Sequence, residues 1–494
     1  MKPIEPMQPD YYARLGLTKD ATPEEVRRAY HRAARLFHPD ASSSEKTTKM
    51  FLEVQEAYEV LSDAQRRAAY QKTYVDQSPI LLRLSYSRSM LRHLDEPQLI
   101  YVLLEMLPHP NKIDEVRSPA LNVCLVIDRS TSMRGERIDL VKESAIDLIR
   151  HLRAESTLSI VAFSDRAEVL LSAGEQSDPE KIETRIRMLQ PSGGTEIYQG
   201  LEAALSQIRR SPMMKGLSHI LLLTDGRTYG DEQACFNLAE TAAREGVGIT
   251  TLGIGNEWNI TFLENLAAQT GGRCIYISQP AEIGKSILEK IHSLGQTFAT
   301  NVQMDIQMGA GASLRFAFRL SPETNTLTTA SPLRLGNLFK RSTLQVLLEF
   351  YLDPIGADTT YFDLAECQLS ADFPATVLPK FNRRLLLGRP VSDLHSEESP
   401  PTDILNALER LILYRMQEEA RREIDEQNIA GATRHLRFLA DRLFHTGQTA
   451  LAQTVLIEAH RLEQGKTLSL EGEKIIKYGT RALLLPQSTE EKQD

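Results

Sequence analysis

Three changes of apolar periodicity along 494 residues predict a multidomain chain. The fold class expected is an all-α hairpin, a doubly wound α/β domain inserted in an antiparallel β-sandwich, and an α-helical C-terminal tail. Apolar residues first recur at helical spacing, from about Asp10 to Tyr70. Short β-rich runs alternating with amphipathic helices follow, from Leu121 to about Ile283. Period-two alternation then runs from about Phe298 to Phe381, with a similar signal ahead of the α/β region.

Each element has a local cause. Val26, Tyr30, Ala33 and Phe37 share one helical face, and Phe51, Val54, Tyr58 and Leu61 share another. Thr22-Pro23-Glu24-Glu25 supplies an N-cap hydroxyl, a proline at the first helical position and acids in the first turn. Pro39 ends that helix, because it has no amide proton and pushes His38 out of helical geometry. The runs LNVCLVI, TLSIVAF, HILLLT, GITTLGI and CIYI are nearly continuous in apolar residues, as strands covered on both faces must be. Helices such as Ile138 to Leu152 and Ile197 to Ile208 leave room for right-handed crossovers between them.

VQMDIQM, SLRFAFRL and TLQVLLEF alternate as half-buried antiparallel strands do. The segments near Leu82 and Leu99 are too few for a domain of their own, so they are expected to join the later strands. In the tail, three stripes, Leu405-Leu408-Ile412, Leu436-Leu439-Leu443 and Leu451-Val455-Ala459, predict stacked helices punctuated by Gly431, Gly447 and Gly465. Tyr414, Met416, Phe438 and Phe444 are expected in their core. The boundaries implied are a hairpin at 1–75, first sandwich strands at 79–117, the α/β domain at 118–292, and further sandwich strands at 293–391. A linker at 392–402, helices at 403–485 and a disordered tail at 486–494 complete the chain.

Composition excludes several function classes. A net charge of -9 gives no global electrostatic case for binding nucleic acid or an anionic membrane. No apolar run approaches the roughly 20 residues that span a bilayer, and MKPIEPMQPDYY lacks a signal-peptide core, so a cytoplasmic location is expected. Cys124, Cys235, Cys274 and Cys367 form no CxxC pair, so they are expected to be small buried hydrophobes and not zinc ligands.

Two motifs carry chemistry. His38-Pro39-Asp40 lies between the helices of the hairpin, with DYYARLG upstream and EAYEVLSD downstream. Together these closely resemble the J-domain of DnaJ-type co-chaperones over about the first 70 residues. The resemblance implies that the chain stimulates ATP hydrolysis by a DnaK-class heat-shock chaperone through that loop. Arg28, Arg32 and Arg35 lie at i, i+4 and i+7, on a face separate from Tyr30 and Phe37, and form a surface for an acidic partner. Ala41-Ser42-Ser43 stands where many relatives carry Lys and Asn.

The second motif is Asp128-Arg129-Ser130-Thr131-Ser132, at the carboxyl end of the first parallel strand, where open α/β sheets bind ligands. Its carboxylate and two hydroxyls, with Thr195 and Asp225 at the ends of later elements, offer five oxygen donors. Such a set suits magnesium, calcium or manganese. The arrangement resembles the metal-ion-dependent adhesion site of von Willebrand factor A domains, and the likeness runs through the whole α/β region, with Thr131 standing where that family often has glycine.

That resemblance implies direct ligation by Ser130, Ser132 and Thr195, with Asp128 and Asp225 acting partly through water. It also implies an open position filled by an acidic side chain of a partner protein. The function expected is a non-enzymatic co-chaperone or adaptor that recruits a DnaK-class chaperone and binds a protein ligand through Mg2+, or Mn2+ or Ca2+. A scaffold subunit, for example a partner of an AAA-type ATPase, and a metal-dependent hydrolase are the alternatives.

Overall fold

The computed structural model describes residues 10–17, 21–37, 45–73, 78–153, 155–175, 179–211, 216–226, 228, 230–322, 324–374, 380–393 and 399–483. Its N-terminal unit is built from α1 (Tyr11–Leu15), α2 (Pro23–Phe37), α3 (Glu45–Leu61) and α4 (Ala64–Thr73). α2 begins at the expected cap: the Glu25 amide donates to Thr22 Oγ1 at 3.3 Å and the Thr22 amide to Glu25 Oε2 at 2.7 Å. Val26, Ala29 and Ala33 pack against Val54, Ala57 and Leu61. The hairpin has more helix than its sequence pattern suggests, because α1 and α4 close the core with Tyr12, Leu15 and Tyr70.

β1 (Ile80–Tyr86) and β2 (Gln98–Pro108) follow, and the chain then enters the α/β unit. Its elements are β3 (Leu121–Asp128), α5 (Glu136–His151), β4 (Thr157–Phe163), β5 (Ala167–Leu171), α6 (Pro179–Arg187), α7 (Ile197–Arg210), β6 (Leu217–Thr224), α8 (Glu232–Arg244), β7 (Gly248–Ile254), α9 (Ile260–Ala268), β8 (Cys274–Ile277) and α10 (Ile283–Gly295). The sheet order is β5-β4-β3-β6-β7-β8, parallel except for β5. Val123, Leu125 and Ile127 of β3 meet α5 and α10 on one face, and Cys124 and Val126 meet α7 on the other. A central strand covered twice has no solvent-facing side, which is why β3 reads as a nearly continuous apolar run.

β9 (Thr297–Met308), β10 (Ala312–Ser321), β11 (Asn325–Leu327), β12 (Leu333–Phe339), β13 (Leu344–Leu352), β14 (Tyr361–Asp372) and β15 (Phe381–Pro390) complete the sandwich. Its sheets run β1-β2-β13-β10-β11 and β12-β9-β14-β15. Strand β2 lies between β1 and β13, with Leu104 opposite Val346, so the α/β unit is inserted in the sandwich. Cys124, Cys235 and Cys367 are buried free thiols, as expected, and Cys274 is half-buried.

α11 (Thr402–Asp425), α12 (Ile429–His445), α13 (Thr449–Glu463) and α14 (Leu470–Leu483) form the tail. Here the sequence expectation needs two corrections. The buried stripe of α11 is Ile404, Ala407, Leu411 and Tyr414, which covers Leu103, Phe318 and Leu347 on the outer face of the first sheet. Leu405 and Ile412 are exposed, because the sheet and not the helical bundle chooses which of two adjacent stripes is covered. Phe438 and Phe444 are exposed too, whereas Tyr414 is core. Gly431 lies inside α12, where its amide is capped by Asn428, while Gly447 and Gly465 end helices with positive φ. The tail expected at 486–494 and part of the linker lie outside the described residues.

Candidate functional site

Parallel register brings the carboxyl ends of β3, β4 and β6 together. Asp128 pairs with Phe163 and Ile127 with Leu223, so Thr224 and Asp225 emerge beside Asp128. Asp128 accepts from the Ser130 amide at 2.8 Å and from Thr224 Oγ1 at 2.6 Å. The Ser130 and Ser132 hydroxyls lie 2.9 Å apart, and Ser132 donates to Asp225 Oδ1 at 2.6 Å. Thr195 arrives from the opposite loop. A Cβ at Gly226 would stand 2.9 Å from Thr195 Oγ1, so glycine leaves that hydroxyl its place next to Asp225.

Two residues that sequence reasoning missed hold this arrangement. Asp165, in the turn after β4, accepts from the Gly194 amide at 2.7 Å, while the Gly193 carbonyl accepts from Thr131 at 3.2 Å. These bonds and the left-handed conformation at Gly193 (φ 76) explain why the Thr195 loop begins with two glycines. Arg137, in the first turn of α5, places Nη1 2.5 Å from Asp225 Oδ2. Neither residue has a spacing signal, since both act across the fold.

The electrostatics fit a cation. Asp128 and Asp225 are fully buried, and the Arg137 guanidinium meets Asp225. Burial pushes the Asp128 carboxyl up to about 6, against the hydrogen bonds from Thr224 and Ser130 that favour its ionised form. Two buried carboxylates are costly without compensating charge, and a donor set of hydroxyl and carboxylate oxygens is that of a hard divalent ion. Among the described residues, no group of three or more His, Cys, Asp or Glu gathers to offer a softer site.

In the N-terminal unit, His38, Pro39 and Asp40 lie outside the described residues, as does the side chain of Arg35. Arg28 and Arg32 face the β-sandwich: Arg28 donates to Thr360 Oγ1 at 3.0 Å and Arg32 pairs with Asp363 at 2.9 Å. No helix among the described residues is long and apolar enough to cross a membrane.

Comparison with known proteins places names on these units. The DnaJ domain family model matches residues 10–71, and the von Willebrand factor type A domain model matches 122–290. A third, the Sll0103-like C-terminal alpha-helical domain, matches 402–486. The Synechocystis protein named "Uncharacterized protein sll0103" is 28% identical over 76% of this chain and 91% of its own. The chaperone protein DnaJ of Bacillus cytotoxicus is 54% identical over 61 residues, which is 12% of this chain and 17% of that protein. Among solved structures, von Willebrand factor type A from Catenulispora acidiphila has a TM-score of 0.61 at 15% identity, covering 83% of this chain and 98% of its own. The ArnB paralog VWA2 from Sulfolobus acidocaldarius has a TM-score of 0.52 at 15% identity, covering 82% of this chain and 99% of its own.

Proposed function

We propose that this chain, which carries a J-domain and a von Willebrand factor A domain, is a non-enzymatic co-chaperone adaptor of the cytoplasm. The J-domain recruits a DnaK-class chaperone and stimulates its ATPase through His38, Pro39 and Asp40. The A domain binds a protein partner or client through a divalent cation, magnesium first among the candidates. Asp128, Ser130, Ser132, Thr195 and Asp225 would hold that ion. The cation would supply a Lewis-acid position for a carboxylate of the partner.

The observation that carries this reading is the convergence of those oxygens around two buried carboxylates, with Arg137 as a counter-charge at Asp225. The same geometry argues against hydrolysis. Asp128 is engaged by Thr224 and the Ser130 amide, and Asp225 by Ser132 and Arg137, so each carboxylate already accepts from two donors.

Affinity capture with the full chain, in magnesium and in chelator, tests the proposal. Client and partner proteins held through the A domain should be retained in magnesium and lost in chelator. An identical set of captured proteins in both conditions would contradict metal-mediated recognition. A single stoichiometric partner without the chaperone would favour a scaffold.

A further inference from the structure

We propose that the J-domain is held in cis on the β-sandwich with the Arg28–Arg32 face of α2 covered, so that the chaperone can use that face only after release. This rests on the J-domain reading above and names a regulation of the same site. Arg28 lies 3.9 Å over the Tyr361 ring and donates to Thr360, and Arg32 pairs with Asp363. These three partners stand at the start of β14 and just before it, so one short strip of the sandwich meets successive turns of α2.

The same docking is fixed at its other end. Glu25 pairs with Arg389 at 3.0 Å, both well buried, and Arg389 stacks over Tyr86. Asp10 pairs with Arg383 at 2.7 Å, and Arg383 also donates to the Leu17 carbonyl. The Leu386 amide of β15 donates to the Gly16 carbonyl at 3.0 Å, and its side chain packs on the J-domain core. Contacts at Asp10, Gly16, Leu17, Glu25, Arg28 and Arg32 define a specific orientation and not a tethered domain.

The contact is also built to open. Between α2 and the sandwich lies a cleft of about 940 Å³ lined by Arg27, His31, Met308 and Glu366. Arg32 and Asp363 remain 29% and 49% exposed, so water and salt screen their pair. An interface of ion pairs around an open cleft releases more readily than a close-packed apolar one. A negatively charged chaperone surface would compete with Asp363 for the same guanidinium.

The test measures ATP hydrolysis by a DnaK-class chaperone as a function of full-chain concentration, for wild type, Asp363→Arg and each combined with His38→Gln. Asp363→Arg repels Arg32 from the far side of the interface and leaves every J-domain residue intact. The half-maximal concentration should fall on the order of tenfold, the factor expected if the released state is about one-tenth populated in the wild type. Hydrogen exchange at the Leu386 amide, which the Gly16 carbonyl protects, should quicken in the same variant and confirms release independently of activity. Equal stimulation by wild type and Asp363→Arg, both above their His38→Gln versions, would overturn the covering and leave the J-domain reading intact. Stimulation no greater than that of His38→Gln in either background would overturn both.

Discussion

A chain beginning at Ser118 is expected to aggregate, although it retains the complete α/β domain. It lacks β2, which buries Ile100, Val102, Leu103, Leu104 and Met106 at 0–1% exposure. At about 1.5–3 kcal/mol per buried side chain, those five contribute roughly 8–15 kcal/mol, as much as the whole stability of a typical domain. Its loss uncovers one edge of β13 along Leu344–Leu352 and leaves the α11 stripe facing a thinner sheet. A chain beginning at Ser78 keeps both sheets and should stay in solution, at the cost of exposing Leu386 and the arginines that hold the J-domain. Size-exclusion profiles and dye binding to apolar surface distinguish the two. Ending the chain near Gly388 is predicted to be worse than the sequence boundaries suggest, since it removes α11 from the outer face of the first sheet and cuts into β15.

The second large effect is at the proposed cation site. Asp128→Ala should weaken magnesium or manganese binding by at least a hundredfold in calorimetry and remove cation-dependent partner capture. It deletes the acceptor that fixes both Thr224 and the Ser130 amide, so the hydroxyls lose their alignment as well as a charge. The apo protein should stay folded with a modestly lower thermal midpoint, because Thr224 and the Ser130 amide lose a buried acceptor while an unfavourably buried carboxylate is removed. Arg137→Ala should act in the opposite direction. Removing the guanidinium that competes for Asp225 tightens cation binding, on the order of tenfold for one unit charge beside a divalent ion. If both substitutions left the affinity unchanged, the site would lie elsewhere.

The parts of this fold that were legible in the sequence are those set by local or strand-level causes. Thr22-Pro23-Glu24-Glu25 is a complete cap, and β3 reads as a doubly covered strand because every one of its residues is buried. Asp128, Ser130 and Ser132 were legible because a DxSxS turn puts its side chains at fixed offsets on one loop. Strand β5 was missed because it is short and largely exposed at its start, so its five residues alternate too little to stand out.

The rest depended on tertiary partners. Ile404 and Leu405 are equally apolar neighbours on α11, and only the position of Leu103, Phe318 and Leu347 decides which is buried. Asp165 and Arg137 act on residues 29 and 88 positions away, beyond any spacing rule. The stripe of Arg28 and Arg32 was read as a surface for an acidic partner. The structure gives it one inside the chain, at Asp363.

Through its J-domain this chain is expected to act on a DnaK-class chaperone. Single-turnover ATP hydrolysis by such a chaperone, with full-length wild type and with His38→Gln, tests it most directly. Wild type should accelerate hydrolysis and His38→Gln should leave the basal rate unchanged, with the same helical content in both proteins. Equal rates with wild type, with His38→Gln and with neither protein present would contradict it.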